Sequence, residues 1–282
     1  MTDVGRRKRI PPSAGDEALR RAMAAIQGGR PDQAEAIARE LIAGDSRHPA
    51  ALHVLGLALL AQRRPREAIA PLEEAARDRA DPAVETHLAI ALRQTGRSAD
   101  AVRWLERATT RQPAFAPAFR ELGMLLYSLR RLAEAQAVLQ RGREIAPALP
   151  EWSVVLGGIF LERGERAQAK VAFAQALANA PGHPSALFGL GTALMDDGEF
   201  APAAERFRQA LARDPSYTQA QLNLGLCLLE LARWDEAVAC LRAAVKAAPS
   251  CYGKALRMLV TSGRSRFWLR PSAAAKCLRP ES

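Results

Sequence analysis

The sequence predicts an all-α protein, an α-solenoid of about seven stacked helix pairs plus a C-terminal capping helix. The composition is the first observation behind this prediction. Apolar residues make up 49% of the 282 residues and aromatic residues only 5%, and alanine, leucine, arginine and glutamate are abundant. These residue types favour helices over strands, and this apolar share argues against an unfolded chain. The other observations are an internal repeat and the helical spacing of apolar residues within it.

Three residue types recur along the chain with a common period. Proline and glycine each advance in steps of 34, and alanine does so with a single step of 33. The prolines lie at 113, 147, 181, 215 and 249, the glycines at 123, 157, 191 and 225, and the alanines at 34, 68, 101, 135, 169, 203 and 237. These series define seven repeats, 15–48, 49–81, 82–115, 116–149, 150–183, 184–217 and 218–251. Place n denotes the nth residue of a repeat.

Each repeat is predicted to form two antiparallel helices. In the sixth repeat, Leu187, Leu190 and Leu194 follow helical spacing, and the polar run 196–199 then breaks the helix. A second helix follows and stops before Pro215, which lacks a backbone donor. Place eight is glycine or alanine and place twenty is alanine in every repeat. Two helix backbones can therefore approach closely, and bulky residues at places seven and twenty-four fill the remaining space.

This pattern resembles the tetratricopeptide repeat family. The residues that carry the resemblance are Leu190-Gly191, Ala203, Phe207, Ala210 and Pro215, and the repeat length also agrees. The resemblance covers residues 15–251. It implies a right-handed superhelix of stacked helix pairs, with the first helix of each pair lining a concave groove.

The departures from the family pattern are local. The first repeat has Arg21 where other repeats have leucine, which suits a terminal repeat whose outer face meets water. The second repeat ends at Ala80 rather than proline, and the aromatic residue often found at place four survives only as Phe119.

A mainly apolar face is predicted on the first helices. Places five, nine and twelve share one side of a helix, and we call their residues the first-helix face. Such a face suits the apolar stripe of a partner helix or an extended peptide. In the alternative interpretation, individual residues only pack against neighbouring helices. The candidate groove residues are Leu19, Met23, Leu57, Leu60, Ile90, Arg120, Met124, Tyr127, Val154, Leu161, Phe188, Met195, Leu222, Leu226 and Leu229.

Two ligand classes known for related repeats are not indicated. The carboxylate clamp of some tetratricopeptide domains needs a set of Lys, Asn and Arg residues, and only Arg20, Arg120 and Asn223 are present here. The asparagine ladder of related glycosyltransferase solenoids is also missing. Place thirteen is acidic in the last three repeats, at Glu162, Asp196 and Glu230. These residues form either an acidic rim for a basic segment or ordinary solvated helix ends.

The sequence indicates no enzyme, cofactor, metal site or small-molecule substrate. It contains no phosphate-binding loop, nucleophile elbow or His-Glu-x-x-His motif. His48 and His183 fall at junctions between repeats, whereas His53 and His87 lie on adjacent first helices and are expected to face each other. The four cysteines form no Cys-x-x-Cys pair, so buried thiols are expected rather than zinc ligands or disulfides.

The basic excess lies at the two ends of the chain. The formal net charge is +10, but residues 15–251 carry nearly equal numbers of basic and acidic side chains. Residues 1–14 are expected to form a basic, disordered arm, and residues 252–282 a capping helix with a short second helix at 272–278 and a basic tail. Phe267, Trp268 and Leu269 in this tail either fold back on the last repeat or contact a ligand. No apolar run reaches the ~20 residues of a membrane span and no secretory signal is visible, so a cytoplasmic location is expected.

Three functional hypotheses follow. The preferred one is a non-enzymatic protein–protein interaction scaffold that binds a partner peptide or helix in the apolar concave groove. The second is an auxiliary subunit of a separately encoded glycosyl- or sulfotransferase. The third is binding of RNA or an anionic membrane through the basic ends, which would make affinity fall steeply with salt.

Overall fold

The structure, a computed structural model, describes residues 14–78, 80–261 and 271–278. These residues contain sixteen α-helices, one short 3-10 helix and no strand, which confirms the predicted all-α class. The chain divides into two compact bodies, an N-terminal body (Met1–Val138) and a C-terminal body (Leu139–Ser282).

The helices follow the predicted repeats. The N-terminal body contains α1 (Ala14–Gln27), α2 (Pro31–Gly44), α3 (Pro49–Ala61), α4 (Pro65–Asp78), α5 (Pro82–Gln94), α6 (Ser98–Thr109) and α7 (Ala116–Ser128). The boundary between the bodies falls inside α8 (Leu132–Ile145). The C-terminal body continues with α9 (Pro150–Glu162), α10 (Arg166–Asn179), α11 (Pro184–Asp196), α12 (Phe200–Arg213), α13 (Thr218–Glu230), α14 (Trp234–Ala247), the 3-10 turn (Pro249–Cys251), α15 (Tyr252–Thr261) and α16 (Pro271–Cys277). The seven predicted helix pairs are α1/α2 through α13/α14.

Local sequence signals explain where the first helices begin. Proline occupies the first position of α3, α5, α9 and α11, where its missing N–H costs no helical hydrogen bond. His48 and His183 cap α3 and α11, because each side chain accepts a hydrogen bond from a backbone N–H in the first turn of its helix. The expectation that these two histidines serve the junctions is therefore confirmed.

The turn between the helices of a pair needs a left-handed residue. After α9, Gly164 has φ +74°, its N–H donates to Leu161 O, and the N–H of Glu165 donates to Phe160 O. This is the Schellman arrangement, which satisfies the last carbonyls of the helix. Arg63, Arg130 and Ala232 take the same conformation without being glycine.

In each body, a helix packs against the helices next to it in the chain, and first helices also pack against one another. Consecutive helices contact each other from α1 to α7 and from α9 to α15. First helices of neighbouring pairs also touch, as α3 and α5 do in one body and α9 and α11 in the other. Second helices of neighbouring pairs make no comparable contact within the described ranges. The first helices are thus the more closely spaced layer in each body.

Glycine at place eight makes room for the bulky residue at place twenty-four. A Cβ built on Gly157 would lie 2.7 Å from the ring of Phe173, and one on Gly225 would lie 2.8 Å from Leu241 Cδ2. Real Cβ atoms do not approach that closely, so the predicted combination of small and large residues is what lets the helices of a pair meet.

The C-terminal end is capped as expected. Ala255 and Leu259 of α15 are buried in a core cluster that also contains Ala274 of α16 and Leu278. The side chain of Arg242 on α14 donates two hydrogen bonds to the carbonyl of Cys277, both 3.1 Å. The basic arm (1–13) and the segment 262–270, with Phe267, Trp268 and Leu269, lie outside the described residues.

Candidate partner-binding face

The first-helix face of the N-terminal body combines apolar and charged side chains. Met23 and Met124 at place nine are 37% and 45% exposed, which is high for such large apolar residues. The remaining candidates are half-buried and lie on α1, α3, α5 and α7, namely Leu19, Leu57, Leu60, Ile90, Arg120 and Tyr127. Glu121 on α7 forms ion pairs with Arg120, at 3.3 Å, and with Arg93 of α5, at 3.5 Å. Arg93 and Arg120 therefore share one carboxylate partner beside this face.

A pair of histidines links α3 and α5 within the same body. The Nε2 atom of His53 lies 2.9 Å from Nδ1 of His87, so one ring donates a hydrogen bond to the other. The expectation that they face each other is confirmed. Burial is the main cause that lowers the pKa of His87 to about 4, and the neighbouring His53 contributes to the same lowering. Burial also lowers the pKa of His53. Both rings are neutral at pH 7 as a result.

The first-helix face of the C-terminal body is more uniformly apolar. Val154, Leu161, Phe188, Met195 and Leu226 are all half-buried and lie on α9, α11 and α13. They contact the core on one side, since Leu161, Phe188 and Met195 also pack against buried clusters. The ring of Phe188 lies 4.8 Å from that of Tyr217 and 5.7 Å from that of Phe207. These side chains therefore stabilise the fold and still keep accessible surface.

Two of the fifteen candidates do not lie on an open surface. Leu222 and Leu229 are only 1% and 2% exposed, and they belong to the core cluster that contains Leu259 of the capping helix. The prediction that they line the groove is wrong. Places five and twelve of the last repeat are covered because α15 stacks on α13 where a further repeat would otherwise lie.

The polar candidates do not form a carboxylate clamp. Asn223 is buried and its side-chain oxygen accepts a hydrogen bond from Gln219 Nε2, 3.0 Å away on the same helix. It is therefore held inside α13 rather than presented to a ligand.

Place thirteen of the C-terminal body carries the acidic residues. Glu162 and Asp196 are exposed and Glu230 is half-buried. Each is the last residue of its helix, α9, α11 or α13.

The sequence did not predict one buried acidic residue, Glu85. The side chain of Glu85 on α5 is fully buried, and its carboxylate forms ion pairs with Arg107 at 2.8 Å and Arg111 at 2.9 Å. The i,i+4 spacing of these arginines on and just after α6 was the available signal. The pairing satisfies the buried charge and fastens α6 to α5.

Burial makes Cys227 a poor nucleophile. All four are free thiols, and burial raises the pKa of Cys227 to about 12, which suppresses the nucleophilic thiolate. Across the described ranges, no group of three or more His, Cys, Asp or Glu side chains is arranged to hold a metal ion. None of the described helices has both the length and the apolarity needed to cross a bilayer.

Comparison with known proteins identifies the family. A family model described as tetratricopeptide repeat matches residues 19–84, 87–150, 155–205 and 190–250, which together exceed half of the chain. The chain belongs to the tetratricopeptide repeat family. No curated protein matches the sequence. The family fold supports a protein–protein interaction scaffold in general, and its members are typically non-enzymatic.

Solved structures share the fold at low sequence identity. The anaphase-promoting complex (APC/C) hetero-tetramer Cut9–Hcn1 is 16% identical over 90% of this chain, with a TM-score of 0.74. This chain spans about half the length of that protein, because 50% of the latter is covered. PilF of Pseudomonas aeruginosa is 22% identical, with 73% of this chain and 94% of that chain covered and a TM-score of 0.65. YrrB is 19% identical, with 65% and 95% covered and a TM-score of 0.53. These likenesses establish the α-solenoid fold.

Proposed function

We propose that this protein is a non-enzymatic scaffold that binds a segment of a partner protein across its first-helix faces. The observation that carries the proposal is the exposure of apolar side chains at equivalent places of successive first helices, above all Met124 at 45%. A partner peptide or helix that covers them removes apolar area from water, worth about 25 cal/mol per Å² before ordering costs.

The arrangement of the layers supports this proposal. First helices of neighbouring pairs contact one another within each body, so a single ligand segment can lie across several of them. Binding sites for peptides on helical scaffolds commonly combine apolar anchor pockets with a polar edge. Both kinds of side chain are present on α9, α11 and α13.

Two of the similar structures belong to proteins that bind other chains or peptides. YrrB is described as having an unusual peptide-binding site, and Cut9 is part of a hetero-tetramer with Hcn1. A partner-binding role for the present chain is consistent with both.

The proposal is tested with the full chain as bait in cells of its source, with mass spectrometry of the recovered proteins. Leu57→Gln, Met124→Gln and Leu226→Gln each place a polar group on a first-helix face. We expect each substitution to reduce recovery of the partner. Met124→Gln should also leave the melting temperature of the protein nearly unchanged, because Met124 is exposed.

Val171→Gln is the matched control. Val171 is 58% exposed but lies on α10, a second helix. If recovery falls equally in the Val171 variant, or persists in all three face variants, the first-helix faces are not the binding surface.

A further inference from the structure

We infer that the first-helix face of the C-terminal body binds a cationic amphipathic segment of a partner protein, in which Lys or Arg side chains flank apolar ones. This inference rests on the proposed function and adds the chemistry of the partner. It is carried by charge complementarity along one edge of the face.

The three first helices of this body contain no basic side chain. The sequences of α9, α11 and α13 include neither Lys, Arg nor His, although the whole chain is strongly basic. Their charged residues are Glu151, Glu162, Asp196 and Glu230. The last three, which we call the acidic edge, occupy place thirteen of consecutive repeats. In the N-terminal body the same place is neutral, with Gln27, Ala61, Gln94 and Ser128.

The position of the acidic edge is unfavourable for the helices themselves. The C-terminus of a helix carries partial negative charge, which favours Lys, Arg or His there and disfavours carboxylates. The three first helices α9, α11 and α13 nevertheless end in Glu or Asp. A positively charged ligand across these helix ends would relieve the repulsion, and it would meet the partial charges of the helix ends together with the three carboxylates.

Lys170 and Arg166 neutralise the carboxylates of the turn that follows Asp196. Lys170 Nζ lies 2.6 Å from Asp197 and 3.1 Å from Glu199, and Arg166 lies 3.4 Å from Asp197. Within the described part of the chain, the carboxylates of Asp196 and Glu230 have no hydrogen-bond or ion-pair partner. They remain available to an external cation.

Apolar surface borders the acidic edge. Leu161 and Met195 immediately precede Glu162 and Asp196, and both keep accessible surface. On α13, Leu229 is buried, but Leu226 lies one turn before Glu230 on the same side and is half-exposed. The apolar side chains of one amphipathic segment would thus contact this apolar surface, and its Lys or Arg side chains would contact the acidic edge.

The test uses purified full-length protein and two fluorescent 18-residue helical peptides. The peptides share their leucine positions and differ only in carrying lysine or glutamate on the polar side. We expect fluorescence anisotropy to show at least about tenfold tighter binding of the lysine peptide at low salt, with the difference shrinking as salt increases. Asp196→Asn combined with Glu230→Gln should weaken binding of the lysine peptide about three- to tenfold. The melting temperature should stay constant or rise, because the unfavourable helix-end charge is removed.

A matched variant removes two carboxylates from second helices. Glu205 and Asp235 are exposed on α12 and α14, and Glu205→Gln with Asp235→Asn should leave lysine-peptide affinity unchanged. An equal loss in this control, or no loss in the Asp196/Glu230 variant, overturns the inference.

The outcomes also separate this inference from the proposed function. Leu226-dependent binding of both peptides with equal affinity would overturn the cationic preference and leave the scaffold role standing. Failure of both peptides to bind would overturn the inference, and the recovery experiment with the Leu57, Met124 and Leu226 variants would still decide the scaffold role. A dimer in sedimentation that disappears with the Asp196/Glu230 variant would assign the edge to a second copy of this chain and would overturn the assignment to a partner protein.

Discussion

The two bodies of this molecule use the same helix pairs to present different faces. In the N-terminal body, the first helices carry a neutral histidine pair and an ion-paired cluster of Arg93, Arg120 and Glu121. In the C-terminal body, the first helices carry apolar residues beside carboxylates and no basic side chain. The small and large residues at places eight and twenty-four agree in both bodies. The repeat therefore constrains the residues that pack between helices, at places eight and twenty-four. The residues of the first-helix face, at places five, nine and twelve, differ between the two bodies.

The largest expected difference between the bodies is the loss of stability at acidic pH that the histidine pair causes in the N-terminal body. The pKa of His87 is about 4 in the fold against an ordinary value of 6.5, so the unfolded chain binds more protons between these values. Stability should therefore fall as pH drops from about 6.5 towards 4, by as much as about 3 kcal/mol. Urea unfolding at a series of pH values, monitored for the N-terminal body by a fluorescent label there, measures this loss.

A variant without the pair tests the cause. His53→Gln together with His87→Gln should flatten the pH dependence between about pH 6.5 and 4. A double variant that keeps the full acid sensitivity would show that the pair is not responsible.

A packing difference gives the next largest effect. Phe173 of α10 fills space where the second and third repeats have leucine, and a Cβ on Gly189 of α11 would lie 2.3 Å from its ring. Gly157 confines the same ring from the other side, at 2.7 Å. Gly189→Ala should therefore lower the free energy of unfolding by about 1–3 kcal/mol, measured by urea denaturation.

The explanation for Gly189 is checked by a compensating change. Phe173→Leu should restore most of the stability lost in Gly189→Ala, because the second and third repeats have leucine at this place, Leu72 and Leu105. Gly253→Ala, where nothing lies within 4 Å of the added atom, should have little effect. Additive losses in the double variant would rule out the steric cause.

The smallest expected effect concerns the turns. Ala232 has φ 57° after α13, where four other turns have glycine. Ala232→Gly should stabilise the fold by about 0.5–1 kcal/mol, because an L-residue is strained in this conformation. Thermal unfolding should show this stabilisation as a small rise in melting temperature. The control Ala239→Gly lies inside α14 and should lower the melting temperature instead. A lower melting temperature for Ala232→Gly would contradict the strain argument.

The periodic part of the sequence predicted most of the fold. Seven helix pairs and the capping helix follow from residues that recur every 34 positions or follow helical spacing, such as Gly157, Ala169 and Leu259. Leu222 and Leu229 were assigned wrongly because their burial depends on α15 stacking on α13, a contact that periodicity does not encode. Gly189 and Glu85 were missed for a similar reason, since each is explained by one particular neighbour, Phe173 or the Arg107–Arg111 pair.

Site-specific photo-crosslinking tests the central claim most directly, namely that partners bind on the first-helix faces. Benzoylphenylalanine placed at Leu226, at Met124 or at the control site Val171 reports which surface touches another protein in the source cells. The account predicts protein adducts from positions 124 and 226 and none from position 171 on the second-helix layer. Adducts from position 171 alone would contradict it.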